Sequence, residues 1–356
     1  MASTSSASKD ASSRILALDY LRGFFIIVII VDHLWRWPSL FEYVSGRGEL
    51  WASAAEGFVI ISGLLVGYVR GYKNRKKPLG EVSRKLITRG VMLYIWMLIT
   101  TLALVGASWA LDFKGDIAYI PIPENHWGEL IMSALRFDYV HTLTHFLYLY
   151  AIFLVLSPLV VWLFRHGKAW LVAIISAATW MYGVSKGIEW MQWQLLFFLP
   201  AIAGFYLEAL QARFQTLSAP LKKLLQFGSI GVTLLTLVIS AAIILPNPPG
   251  EYQSILFGRD PVTLATIITS FVWFTGLFSL FSTILPILKK WLGWLLEAFG
   301  SRSLTAYIVH TIPLVLCQLI FVPFHNIWLN TLLGIGCILF TWGLLKIPYI
   351  NKVIPR

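Results

Sequence analysis

The stretch LDYLRGFFIIVIIVDHLWRW, residues 18–37, sets Asp19, Arg22, Asp32 and His33 in an otherwise apolar run, and Glu56 follows in ELWASAAEGFVIISGLLVGYVRGY. An imidazole takes up and returns protons near neutral pH, and a carboxylate beside it fixes its tautomer and stabilises the imidazolium. A guanidinium holds phosphates or steadies developing negative charge. Such groups within an apolar run stand either at the two membrane surfaces or at a polar site inside a helix bundle. His33 and Glu56 are the candidates for an imidazole–carboxylate pair, with Asp19 and Arg22 the other ionisable groups of the first span.

At 100° per residue, Asp19, Arg22, Ile26, Ile30, His33 and Trp37 fall within a stripe about 80° wide. Arg22 and His33 are three turns apart and lie nearly above one another. Asp32 points about 100° from His33, so it is assigned to the substrate side rather than to His33. Snorkelling to a membrane surface would also explain Asp19 and Arg22, but the shared face argues for a polar track directed into a bundle. For Glu56 the competing role is a structural ion pair.

Those residues must be positioned by membrane helices. Of the 356 residues, 58% are hydrophobic and only 13% charged, too little charge to cover a soluble protein of that length. The apolar residues recur in runs of about twenty, long enough to cross the hydrocarbon core as helix. The expected fold is all-α: a polytopic membrane protein with about ten transmembrane helices in one bundle. The spans fall near 15–35, 50–71, 86–109, 144–164, 169–186, 192–210, 224–245, 262–286, 302–322 and 327–346. Residues 1–13 read as a disordered polar tail, and 14–356 as a single transmembrane domain. Pro158, Pro200 and Pro313 are expected to kink their helices. Pro286–Phe299 reads as an amphipathic surface helix, and a short surface helix is expected within the acidic 110–142 loop (Asp112, Asp116, Glu124, Glu129, Asp138). Gly63, Gly67 and Gly71 form a smooth packing seam.

Arg70, Lys73, Arg75, Lys76, Lys77, Arg84, Lys85 and Arg89 crowd the connection between the second and third spans. Basic loops stay in the cytoplasm, which puts both termini there as well. This distribution explains the net charge of +11 without nucleic acid as a partner. Cys317 and Cys337 lie within apolar spans, so neither a disulfide framework nor a zinc site is expected. His141 and His145 stand four apart but lack a third ligand, and no metal is expected. His310, in mid-span, reads as a buried hydrogen-bonded histidine.

The order and spacing of these motifs resemble a known family. Arg22 and His33 match the arginine, ten residues, histidine motif of the acyltransferase-3 membrane acyltransferases. DYLRG, the DH pair, SAAEGFVIISGLLVGYVRG and RKLITRGVMLY together resemble the OpgC-type glucan succinyltransferases. YLYAIFLVLSPLVVW and WMQWQLLFFLPAIAGF look like that family's fourth and sixth spans, while GRDPVTLATIITSFVW and GSRSLTAYIVH are looser matches. The sequence departs where Ser53 replaces an aspartate and where Trp190-Met191-Gln192 replaces an asparagine–proline.

The resemblance implies a multi-pass enzyme of the bacterial inner (plasma) membrane, in contact with membrane lipid. It would move a succinyl or acetyl group from cytoplasmic acyl-CoA to a sugar hydroxyl of an extracytoplasmic glycan. Acyl transfer to a hydroxyl needs a base within hydrogen-bond reach and a positive group or dipoles for the oxyanion. The catalytic set expected from the resemblance is therefore His33 as general base, Glu56 to orient it, and Arg22 with Asp19 to steady charge or hold the donor. Succinyl-CoA or acetyl-CoA is the donor substrate, and no bound cofactor is expected. Arg70, Arg84 and Arg89 are the expected contacts for the donor's phosphates, although topology and anionic lipid also explain basic residues in that loop. Trp193 and Gln194 match a family position and are expected at the acceptor sugar, while an aromatic belt explains most of the other outer tryptophans. The rival class is a membrane transporter or flippase, which would also keep charges within its spans; no internal repeat supports it.

Overall fold

Backbone crossing lipid must satisfy its own hydrogen bonds, and the apolar runs do so as helices. The computed structural model describes residues 2–111, 120–246 and 250–354, leaving aside the side chains of 2–15, 251–252 and 351. The main helices are α1 (Ala2–Leu34), α2 (Ala54–Lys73), α3 (Leu79–Ala110), α4 (Trp127–Arg136), α5 (His145–Arg165), α6 (Ala169–Lys186) and α7 (Glu189–Phe205). They continue with α8 (Leu207–Thr216), α9 (Ala219–Ile244), α10 (Leu264–Thr283), α11 (Leu285–Ser301), α12 (Ser303–Ile320) and α13 (Ile327–Lys346). No strand occurs among the described residues, where Arg259 and Val262 form an isolated bridge.

Seven of these helices are long and apolar enough to cross a membrane: α2, α3, α5, α9, α10, α12 and α13. The pair α7 and α8, bent by 62° at their junction, makes eight if it counts as one span. Of the ten expected, α1 and α6 fall outside this count; α1 carries Asp19, Arg22 and Asp32 in its apolar part. The segment expected to be a disordered tail is helical from Ala2. It holds no Pro or Gly, so nothing in its backbone chemistry stops a helix from extending. Asp112 and Asp116 of the acidic loop lie outside the described residues, and α4 is that loop's short helix.

The first helix runs through the centre of the packing. Tyr20, Leu21, Ile26 and Ile30 are fully buried, enclosed by α2, α10, α11 and α13. α11 is therefore more than a surface helix. It lies along α1 so closely that a Cβ on Gly300 would collide with the Asp19 carbonyl, and one on Gly23 with the Leu296 carbonyl. The seam on α2 packs as its spacing suggests: Gly63 and Gly67 meet the carbonyls of Phe197 and Ala201 on α7, while Gly71 meets the rings of Phe205 and Phe164.

Two irregularities shape the interior. The end of α2, Val66–Lys73, is π-helical. α12 breaks at His310 into Ser303–Val309 and Thr311–Ile320, because Pro313 has no N–H for the Val309 carbonyl four residues earlier.

Candidate functional site: a cationic cavity and a histidine pair

A cavity of about 240 Å³ opens among α1, α2, α3, α5, α7 and α12. Its cations are Arg22 from α1, Arg70 from the π-helical end of α2, and Lys85 with Arg89 from α3. The rest of the wall is apolar side chains with the hydroxyls of Ser62, Tyr150, Ser303 and Tyr307. Chain direction gathers the cations at one end: α2 finishes there and α3 starts there. Lys85 and Arg89 are four apart on α3 and so share a face. Arg84 lies 100° from Lys85 and does not line the cavity. Helical phase thus puts Lys85, and not the expected Arg84, on the cavity wall.

The positive charges are only partly compensated. Arg22 sits 3.7 Å from Asp19 and donates from Nη1 to the Gly300 carbonyl at 3.4 Å, leaving Nε without a partner among the described residues. Lys85 pairs with Glu81 at 2.7 Å. Arg70 and Arg89 have no carboxylate partner among the described residues. An apolar-walled cavity that concentrates like charge this way favours an anion with several negative groups.

His33 lies farther along α1. Eleven residues of helix put it about 16 Å from Arg22 along the axis, too far for one small group to touch both. Its Nδ1 is 2.9 Å from His310 Nε2, and the rings stack with centroids 5.2 Å apart. His310 Nδ1 in turn bonds the Tyr307 carbonyl. A carbonyl only accepts, so the network assigns the His310 proton to Nδ1 and leaves its Nε2 as an acceptor. His33 must then donate from Nδ1, and its Nε2 carries the free lone pair. That nitrogen has no hydrogen-bond partner among the described residues. The break in α12 positions this chain at the helix bend. Tyr307 joins the pair to the cavity: it lines the cavity wall, and its ring stands edge-on to His33 at 6.3 Å.

Glu56 does not orient His33. It is fully buried, with Oε1 2.6 Å from Arg259 Nε. Its Oε2 accepts the Ser53 N–H at 2.9 Å and the Ser53 hydroxyl, closing a capping box at the start of α2. A desolvated carboxylate takes the strongest donors in reach, and Arg259 outcompetes an imidazole. Arg259 also donates to the Leu50 carbonyl at 2.7 Å, tying the α9–α10 connection to the α1–α2 connection. Asp32 faces this same knot, near Ser45 and Arg259, and not the histidines.

Residues 14–348 match the family model described as OpgC protein. The chain belongs to the OpgC protein family. No curated protein and no solved structure matches it.

Within this OpgC-family protein, Trp193 and Gln194 are not open to a sugar. Trp193 is buried edge-on to Phe146 at 5.3 Å. The Gln194 amide donates to the carbonyls of Ser176 at 2.7 Å and Met191 at 3.1 Å. Trp193 holds α7 against α5 and Gln194 holds α7 against α6, while the buried Trp193 Nε1–H has no partner among the described residues. His145 and His141 also part company: His145 pairs with Glu189 at 2.6 Å, whereas His141 caps the turn before α5. Burial pushes the His141 imidazole down to about 4 and the neighbouring Tyr139 phenol up to about 12. His310, Tyr307, Lys85 and Arg259 are the participants that sequence reasoning placed elsewhere or passed over. The phase of Lys85 with Arg89, and Arg259 in the GRDPVT motif, were the available signals.

Proposed function

We propose that this OpgC-family protein is an acyl-CoA-dependent O-acyltransferase of the bacterial inner membrane. It would carry a succinyl or acetyl group to a sugar hydroxyl on an extracytoplasmic glycan. The observation that carries the reading is the arrangement of the cationic cavity beside the tautomer-set pair His33–His310, with Tyr307 common to both. Ten crossings with both termini cytoplasmic would put the cation cluster toward the cytoplasm and the histidines toward the outside, agreeing with the basic α2–α3 connection.

Arg22, Arg70, Lys85 and Arg89 then hold the phosphates of the donor, as the unpaired guanidinium groups support. The thioester reaches toward His33 past Tyr307. His33 Nε2 removes the proton from the acceptor hydroxyl as its oxygen attacks the acyl carbonyl carbon. The C–O bond forms, the C–S bond breaks, and the leaving thiolate takes the proton back from His33 as free CoA thiol. His310 Nε2 accepts the Nδ1–H of the transient imidazolium, the part first expected of Glu56. Arg22, three turns away, serves the donor and not the oxyanion.

Mass spectrometry of envelope glycans from matched cells tests the reading, comparing the parent with His33→Ala at equal membrane levels. An acyl mass increment with the parent alone is expected, and its value identifies the group. Equal increments from both would remove His33 from the chemistry; none from either would refute acyl transfer.

A further inference from the structure

A second set of proton-carrying groups stands beside the histidine pair, and the acyl-transfer chemistry above leaves it unused. His145, at the start of α5, holds Glu189 Oε1 through Nε2 at 2.6 Å, and the Tyr148 hydroxyl donates to Glu189 Oε2. The His145 and Glu189 side chains are 35% and 34% exposed, unlike the sealed Glu56. Asp260, also exposed, is close enough to Tyr148 to act on it electrostatically. Aromatic rings flank the group: Tyr148 packs against His145 at 5.0 Å and Phe137 at 5.6 Å.

This set adjoins the reacting end of the molecule. The Phe146 N–H, next in chain to His145, donates to the Tyr307 hydroxyl at 3.4 Å. His145, together with His310 and His141, is among the titratable groups that act on His33 through space.

We infer that Glu189, His145 and Tyr148 form the acceptor subsite, binding the hydroxyls of a neutral sugar beside His33. The inference rests on the acyl-transfer reading and adds to it the class and place of the acceptor. An ionised carboxylate offers about four lone-pair sites, and His145 and Tyr148 occupy two. The remaining two accept from adjacent hydroxyls of one sugar ring, whose C–H face lies against the neighbouring aromatic rings. Two carboxylates here, Glu189 and Asp260, repel an anionic acceptor, as the cations of the cavity attract an anionic donor. The opposite charge of the two regions would keep each substrate out of the other's place.

Initial rates with the detergent-purified full chain test this, using succinyl-CoA or acetyl-CoA and the neutral glycan fraction of the expressing cells' envelope. Glu189→Gln and the milder Tyr148→Phe should raise the KM for glycan about tenfold or more, equivalent to 1.4 kcal/mol or more. The kcat and the KM for acyl-CoA should stay within about twofold, since neither side chain meets the donor. Tyr148→Phe keeps the test sound if Glu189→Gln fails to fold. A fall in kcat with unchanged glycan KM, or no change in either, overturns the subsite while leaving acyl transfer standing. No transfer by the parent chain overturns both.

Discussion

Replacing Glu56 with glutamine separates two roles for that carboxylate, holding the α1–α2 and α9–α10 connections together or orienting His33. All the groups around it are donors: Arg259 Nε, the Ser53 N–H and the Ser53 hydroxyl. An amide must aim its NH2 at one of them, whichever way it is flipped. It also leaves Arg259, only 24% exposed, without a counter-charge. Removing one partner from a buried pair costs about 3–5 kcal/mol, and the partial access of Arg259 to water sets the expected loss near the lower end, about 3 kcal/mol. At roughly 2 °C per kcal/mol for a chain of this size, Tm should fall by about 6 °C. Melting of the detergent-purified chain at one fixed heating rate, followed by the loss of the monodisperse chromatographic peak, reads this directly. The double variant Glu56→Met, Arg259→Leu should recover most of the loss, because an apolar pair of similar volume often substitutes for a buried ion pair at little cost. The surviving folded Glu56→Gln protein should keep acyl-transfer activity within about threefold. An unchanged Tm, or activity lost by orders of magnitude at unchanged Tm, would refute the structural role and return Glu56 to His33.

His310→Ala should lower kcat about a hundredfold, within the range of acid–base effects, with little change in KM for either substrate; undiminished kcat would remove His310 from the relay. Arg70→Ala combined with Arg89→Ala should raise the KM for acyl-CoA about tenfold, and more at low salt where the lost attraction is least screened; competition by free CoA should weaken in parallel. His141 is held neutral, with its pKa near 4 in the fold against an ordinary 6.5. The unfolded chain therefore binds the extra proton between those values, and His141's contribution is complete above pH 6.5 and lost as pH falls toward 4. Tm measured across that window should decline less steeply in His141→Gln. Gly204→Leu should abolish the folded protein, since even a Cβ there would strike the Leu64 carbonyl; wild-type yield and Tm would contradict the close α2–α7 packing.

Helices, the glycine seam and the inward stripe of α1 were legible because they depend on period and residue size, which the sequence carries in full. Arg22 lines the cavity, whereas His33, on the same helix face three turns on, does not and meets His310 instead. The partner of His33 was not legible. Depth alone put Glu56 opposite His33, but depth ignores azimuth: α2 turns Glu56 toward the α9–α10 connection, where Arg259 waits 203 residues away in sequence. His310 belongs to a helix 277 residues from His33, and only packing brings it there. Trp193-Gln194 shows the converse error, since a matching motif says nothing about whether a side chain faces a ligand or its own neighbours.

The π-helical turn Val66–Lys73 gives α2 one extra residue in its last stretch relative to an ordinary α-helix. Val69 and Arg70 stand on the cavity wall within this stretch. Deleting a single residue within it would let the stretch rewind as α-helix and swing everything downstream about 100° around the axis, carrying the Arg70 guanidinium from the cavity toward a neighbouring helix or lipid. A chain of this kind with one residue fewer between the α2 glycines and the basic connection would share its fold, yet present a different wall to the cavity.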